Sequence, residues 1–222
     1  SAYLIQENKI QNIYNKQELP NYGVFDEKRY FASGNESLTF ECQNTKIGVL
    51  ICEDQWIDGP INQVCQGNID MVISLNASPF QLNKQSERMS ICQKYAQEFG
   101  ISFVYINMVG GQDEVVFDGN SFVIDNQGEL IFEMPAFEEL SLSYNGSSLQ
   151  RPLTSDESSI YSALVLATRD YINKNSFGGA LIGLSGGIDS ALTLAIAVDA
   201  IGADNVHAVM MPYQYTSEIS LT

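Results

Sequence analysis

Cys52 closes a run of β-forming residues, IGVLIC, and two carboxylates follow at once, Glu53 and Asp54. A thiol that only fills a core needs no charged neighbours. A thiol that attacks a carbon needs a particular setting. Free cysteine is among the most buried residue types, so a core thiol is the plain alternative. Two features favour chemistry. Cys52 stands at the carboxyl end of its expected strand, where an open α/β sheet presents its site. A lysine also lies upstream, in YNKQELPNYGVFDEKRYF, and an FDE triplet follows it.

A second candidate is SGGIDS, residues 185–190. Two glycines let a backbone approach a ligand closely. Successive N–H groups at a helix start meet the positive end of the helix dipole. The hydroxyls of Ser185 and Ser190 add donors, so Ser185, Gly186, Gly187 and Ser190 form a candidate cradle for the phosphates of ATP. Asp189 in an anion site makes sense if it holds Mg²⁺, which accompanies phosphates through one or two carboxylates. No GK[ST] follows, so this is not a Walker loop. The plain alternative is a tight turn between strand and helix.

The surrounding pattern supplies elements to carry both sites. Residues 2–5 and 10–14 read as a hairpin. Residues 38–42 and 46–51 read as strands, 60–66 as a helix with Pro60 in its first turn, and 69–76 as a strand covered on both faces. Residues 84–99 repeat apolar positions at helical spacing and stop at Gly100. Strands are expected at 102–108, 115–117, 121–125 and 129–134. Strand–helix alternation followed by a meander makes an α/β layered domain. A polar, Ser-rich stretch over 141–155 reads as a linker. Thr154 and Glu157 read as a capping box. The helix they start runs to Lys174, with Ile160, Leu164, Ala167 and Tyr171 as its buried stripe. A strand at 180–184, a helix at 191–201 and a strand at 206–211 open a doubly wound parallel sheet.

Composition narrows the function. The chain has 222 residues and a formal charge of -16. That acidity argues against a nucleic-acid partner, because neutralising phosphates needs clustered Lys and Arg. No apolar run approaches a membrane span, and SAYLIQENKI lacks the pattern of a signal peptide. Cys42, Cys52, Cys65 and Cys92 show no CxxC spacing; a reducing cytoplasm is expected, with Cys42, Cys65 and Cys92 as core thiols. A single histidine, His207, makes zinc improbable and reads as structural. Met210 and Met211 could border an adenine or pack in the core. Trp56 could shape a pocket or fill the core.

SGGIDS between a strand and a helix resembles the ATP pyrophosphatase superfamily. Its members cleave ATP between the α- and β-phosphates, adenylate a substrate oxygen and let a nucleophile displace AMP. The order of a lysine, a Leu-Pro loop, Phe-x-Glu and a strand ending in cysteine resembles the nitrilase superfamily, which hydrolyses C–N bonds with a Glu-Lys-Cys triad. That resemblance implies Cys52 as nucleophile, Lys16 as the catalytic lysine that stabilises the oxyanion, and Glu27 as a supporting glutamate. Lys16 would lower the thiol pKa, which Glu53 and Asp54 would raise. The family's general-base glutamate comes from a segment upstream of the lysine and is not in this sequence. The chain is therefore expected to be part of a longer protein.

The two resemblances in one chain exclude close alternatives. GMP synthetase uses a Cys-His-Glu glutaminase, and the only histidine here lies in the second half. Asparagine synthetase uses an N-terminal cysteine. LPNYGVFDEKRYF, LICEDQW, NASPF, MPAFEE, RDY, GLSGGIDSALTLAIAVDA and VMMP resemble the glutamine-dependent NAD+ synthetases. The resemblance implies an incomplete nitrilase-like α-β-β-α sandwich over 1–140, a linker over 141–155, and the start of a parallel-sheet nucleotide-binding domain over 156–222. It implies glutamine, ATP with Mg²⁺ and nicotinic acid adenine dinucleotide as substrates, an ammonia tunnel, and a homo-oligomer. Glutamine needs acceptors for its ammonium and a cation for its carboxylate. Glu53 suits the first; Ser78 with Lys84 or Arg88 suits the second, unless these two lie on a solvated helix face. Tyr22 would wall the pocket. The rival readings are a stand-alone amidase with a nucleotide-binding appendage, and an inactive fragment.

Overall fold

The computed structural model describes residues 1–142 and 155–211. The chain divides into two compact units, one of residues 1–108 and 119–152, the other of residues 109–118 and 153–222. Most of the 141–155 stretch, with Thr154, lies outside the described residues.

The first unit opens with an antiparallel hairpin, β1 (Ala2–Gln6) and β2 (Lys9–Tyr14), and a short helix α1 (Glu27–Tyr30). Strands β3 (Leu38–Cys42) and β4 (Thr45–Ile51) are followed by a 3-10 turn over Cys52–Gln55 and helix α2 (Asp58–Cys65). Then come β5 (Met71–Asn76), α3 (Lys84–Phe99) and β6 (Ser102–Asn107). In the second unit, β7 (Val109–Gln112) and β8 (Val115–Asp118) form a hairpin. The chain returns to the first unit with β9 (Phe122–Ile124) and β10 (Leu130–Glu133). One six-stranded sheet results, in the order β10-β9-β6-β5-β4-β3. Its centre, β4-β5-β6, is parallel, and its flanks are antiparallel.

The core lies between this sheet and helices α2 and α3, where Leu50, Val72 and Phe103 meet Ile61, Val64, Cys92 and Ala96. Each such fully buried aliphatic side chain contributes roughly 1.5–3 kcal/mol. Gly48 in β4 marks a close approach: an added Cβ would lie 2.6 Å from Val64 Cγ2. Gly100, at φ 66, caps α3 in the left-handed conformation. On the other face, Tyr14, Leu38 and Val49 form a smaller cluster, while Leu75 and Ile106 stay 37% and 43% exposed. The expectation of a strand covered on both faces is therefore met for β5 on the helix side alone among the described residues.

In the second unit, helix α4 (Asp156–Lys174) is capped by Ser155, whose Oγ accepts from Ser158 N–H. The capping box expected of Thr154 with Glu157 involves Thr154, outside the described residues. The buried face of α4 differs from the expected stripe: Ala163, Leu166 and Ile172 are buried, and Ile160, Leu164 and Tyr171 are exposed. Strand β11 (Ala180–Gly183), helix α5 (Ile188–Ile201) and strand β12 (Val206–Val209) follow, with β11 and β12 parallel. Among the described residues no helix is long and apolar enough to cross a membrane.

Candidate active site

Cys52 is the first residue after β4, and it sits at φ 47, a left-handed conformation for a residue with a Cβ. Such a backbone costs about 1–2 kcal/mol and persists only where packing enforces it. Asp54 does much of the enforcing. It is fully buried, and its carboxylate accepts from Ile51 N–H at 3.1 Å and from Tyr14 Oη at 2.8 Å. It also accepts from the N–H groups of Gln17 and Glu18, at 3.0 and 2.8 Å. One carboxylate therefore ties the end of β4, just before Cys52, to the loop that carries Lys16. This explains why a second acid follows Cys52 so closely.

Lys16 Nζ donates to both carboxylate oxygens of Glu27, at 2.7 and 2.8 Å. The pair is largely shielded, its side chains only 11% and 24% exposed. Burial pushes the Cys52 thiol above its ordinary pKa. The Lys16 ammonium opposes that, as does a hydrogen bond from Ala77 N–H, while Glu53 and Glu27 add to it. Asp54 has a structural role, holding the Lys16 loop to the end of β4. Tyr22 Oη donates to Glu53 at 2.9 Å. Burial first, and then Glu53, push the Tyr22 phenol up to about 12.

The loop after β5 forms the other side. Asn107, at the end of β6, accepts from Ser78 N–H at 2.9 Å and donates to Ser78 O at 3.2 Å. Arg88 is fully buried beneath this loop, where it donates to Ser78 O at 2.8 Å, Pro79 O at 3.0 Å and Ser78 Oγ at 3.2 Å. A solvated helix face is thus excluded for Arg88, whose guanidinium holds the Ser78 loop in shape. Lys84 is half-exposed; it pairs with Glu87 at 2.7 Å and lies 4.4 Å from the ring centre of Trp56. Trp56 thereby carries a cation four residues beyond Cys52 in sequence.

Sequence reasoning missed Asp54 and Asn107 as organisers, and Asn76, whose side-chain amide donates to Ser74 O at 2.9 Å and Ile106 O at 3.2 Å. Their signal was present: β5 and β6 both end on asparagine, and Asn76 and Asn107 are register partners. Of the other thiols, Cys92 is a core residue and Cys65 is half-buried, pushed up to about 11 by burial and Glu98. Cys42 is exposed at the end of β3, against the core placement expected for it, because the last residues of an edge hairpin face solvent.

In the second unit, SGGIDS leads from β11 into α5. Gly186 takes φ 80, and Gly187 is the N-cap of α5. Ser190 Oγ accepts from Ser185 N–H at 3.2 Å and donates to Gly187 O at 2.9 Å, closing the loop on itself. Residues 185–189 are exposed. Asp189 lies in the first turn of α5. Among the described residues no three His, Cys, Asp or Glu side chains gather as a metal site. One carboxylate would suffice if the loop held phosphates, because Mg²⁺ takes most of its ligands from water and phosphate. His207, Met210 and Met211 are exposed on or after β12, so none of them is a core residue here.

Known proteins resemble both units. The carbon-nitrogen hydrolase family model matches residues 1–145, and the NAD synthase model matches residues 160–222. A glutamine-dependent NAD(+) synthetase of Acinetobacter baylyi is 46% identical over 100% of this chain and 42% of its own length. The structure of the glutamine-dependent NAD+ synthetase of Acinetobacter baumannii in complex with adenosine diphosphate matches with a TM-score of 0.92 at 46% identity, over 99% of this chain and 43% of that one. A carbon-nitrogen hydrolase from Helicobacter pylori, 23% identical, shares the fold over 58% of this chain and 49% of its own with a TM-score of 0.53. The chain thus spans about two fifths of the length of the synthetases it matches.

Proposed function

We propose that this chain, which belongs to the carbon–nitrogen hydrolase family, frees ammonia from glutamine at Cys52 for an ATP-dependent synthesis of NAD+. The observation that carries the proposal is the shielded Lys16–Glu27 pair acting on a strained, strand-end thiol. The synthetase relatives and the SGGIDS loop in the same chain give the ammonia its use.

In the first reaction the Cys52 thiolate adds to the amide carbon of glutamine. The Lys16 ammonium stabilises the oxyanion, and Glu27 holds that ammonium in place. The C–N bond breaks, ammonia leaves with the proton taken from the thiol, and water hydrolyses the thioester to glutamate. Glu27 is committed to Lys16 and Glu53 to Tyr22. The nitrilase resemblance implies a further carboxylate, upstream of Lys16, as the carrier of this proton. Glu53 receives the glutamine ammonium beside Tyr22. Ser78 and Lys84 receive its carboxylate, with Arg88 holding the loop behind them.

In the second reaction the carboxylate of nicotinic acid adenine dinucleotide attacks the α-phosphate of ATP, and pyrophosphate leaves. Ammonia then displaces AMP to give NAD+. The N–H groups around Gly186 and Gly187, with Ser185 and Ser190, hold the phosphates at the start of α5. Asp189 would hold Mg²⁺, which when bound offsets the charge of the departing pyrophosphate. Residues 1–140 would serve as glutaminase, and 156–222 would begin the synthetase domain, joined by 141–155.

Full-length protein given amide-nitrogen-labelled glutamine, ATP, Mg²⁺ and nicotinic acid adenine dinucleotide should yield NAD+ labelled in its amide. Glutamate without NAD+ would mean a stand-alone amidase. NAD+ made from free ammonia but never from glutamine would remove the glutaminase assignment.

A further inference from the structure

Trp56 ends the 3-10 turn that Cys52 begins. Its N–H donates to Glu53 O at 2.9 Å, so the indole is fixed by the same turn that presents the thiol and Glu53. The ring is half-buried, and the Lys84 ammonium lies 4.4 Å from its centre. Lys84 is the first residue of α3, after the loop that leaves β5. One turn further along the same helix, Arg88 donates to Ser78 O at 2.8 Å from beneath that loop. Strands β4 and β5 are parallel neighbours, with Ile51 opposite Leu75. The contact between Lys84 and Trp56 therefore joins the loop after one strand to the turn after its neighbour, on the edge where Cys52 stands.

An aromatic face does two things to a lysine. Its negative potential attracts the ammonium, and more strongly where water is partly excluded. It also stills a four-carbon stem that would otherwise keep many rotamers. An ammonium has three N–H donors. Here one meets Glu87 at 2.7 Å, an exposed carboxylate whose hold is weak in water. The ring covers one side of the ammonium, and donor capacity remains for an incoming anion. The other cations of the site are committed: Lys16 to Glu27, and Arg88 to the Ser78 loop. Lys84 keeps 26% of its side chain exposed.

We propose that Trp56 is a positioning residue that makes the Cys52 site selective for amides carrying a carboxylate: its ring holds the Lys84 ammonium where that carboxylate binds. This rests on the reading of Lys84 as a receiver of the glutamine carboxylate. It adds the residue that aims Lys84, and it says what the site rejects. An amide of the same length without the carboxylate leaves the held ammonium unanswered.

Full-length protein is compared with Trp56→Leu, Trp56→Phe, Lys84→Met and the double variant Trp56→Leu with Lys84→Met. Two substrates are used: glutamine, and 4-aminobutanamide, which keeps the chain and the ammonium but has no carboxylate. Cys52 is also labelled with diazo-oxo-norleucine, which carries the carboxylate, and with neutral iodoacetamide. Trp56→Leu should raise KM for glutamine about fivefold with kcat held, and slow diazo-oxo-norleucine labelling by a similar factor. Hydrolysis of 4-aminobutanamide and alkylation by iodoacetamide should barely change. Trp56→Phe still offers a ring face and should restore most of the glutamine affinity. On the Lys84→Met background, Trp56→Leu should cost nothing more, because the ring acts through the ammonium. Equal losses for glutamine and 4-aminobutanamide in Trp56→Leu would mean that the ring only packs the turn, and would overturn the inference. So would a full further loss in the double variant. If Trp56→Leu fails to fold, Trp56→Phe decides: glutamine affinity as poor as that of Lys84→Met would overturn the inference too. A wild-type protein that neither hydrolyses glutamine nor takes the diazo-oxo-norleucine label would refute the glutaminase reading itself. A wild type that does both, while Lys84→Met keeps the full preference for glutamine over 4-aminobutanamide, would refute only the roles of Lys84 and Trp56.

Discussion

The Cys52 turn and the SGGIDS loop answer the same topological problem in opposite ways. Each lies at the carboxyl end of a parallel strand and leads into a helical turn. At Cys52 the backbone is strained, and the neighbouring polar side chains are buried and cross-linked: Asp54 with four donors, Arg88 under the Ser78 loop, Lys16 with Glu27. At SGGIDS the glycine carries the left-handed turn without strain, the bonds are local and the surface is open. The contrast fits the two roles proposed: a nucleophile has to meet one carbon at one angle, whereas a phosphate cradle working through backbone N–H groups needs shape and access more than buried side chains.

If that contrast is right, substitutions at one loop leave the other's chemistry intact. Cys52→Ala has the largest expected effect. It should lower glutamine hydrolysis by at least ~10³-fold, as loss of a covalent nucleophile does. NAD+ formation from added ammonia should persist. A proportional fall in both activities would mean that the loops are not separable.

Asp54→Ala comes next. It strands two loop N–H groups, a strand N–H and the Tyr14 hydroxyl. Thermal unfolding should show a loss of about 3 kcal/mol in the unit that holds Cys52. A comparable substitution in the exposed network, Ser185→Ala, should move the melting curve little. Equal losses would erase the distinction between a cross-linked and a local design.

Gly186→Ala forces a Cβ into φ 80. That costs about 1 kcal/mol and should weaken ATP about fivefold without slowing glutamine hydrolysis.

The smallest effect sharpens the electrostatics of the buried thiol. Cys52 is held above its ordinary pKa, with Glu53 raising it and Lys16 lowering it. Alkylation of Cys52 should therefore still be rising with pH beyond the usual thiol range. Glu53→Gln should move that profile to lower pH, because it removes a charge that disfavours the thiolate. Lys16→Met should move it to higher pH. Shifts in the same direction for both variants would contradict the assignment.

Much of this was legible in the residues. The helix over 84–99 emerges with the bounds its periodicity predicts, because spacing and the Gly100 stop agree. Lys16 and Glu27, expected from the nitrilase resemblance, are brought together as an ion pair. The buried organisers are not legible in this way. Asp54 looks like a second charge beside a thiol until its four donors, all distant in sequence except Ile51, are seen around it. Arg88 looks like a surface helix residue because its partners are the carbonyl groups of a loop. The buried stripe of α4 was misread for a similar reason. Its apolar residues surround much of the helix, and only the packing of β7, β8 and α5 selects Ala163, Leu166 and Ile172. The strand β7 is not legible because VGGQ has a single β-forming residue, Val109, beside two glycines; those glycines accommodate the closeness of α4.

The most direct measurement is intact mass and peptide mapping of the full-length protein after treatment with diazo-oxo-norleucine, an electrophilic glutamine analogue. One adduct, on Cys52 and blocked by glutamine, with Cys42, Cys65 and Cys92 unmodified, is the expected result. An unlabelled Cys52 in protein that still hydrolyses glutamine, or a label spread over the exposed Cys42, would contradict the assignment of Cys52 as the nucleophile.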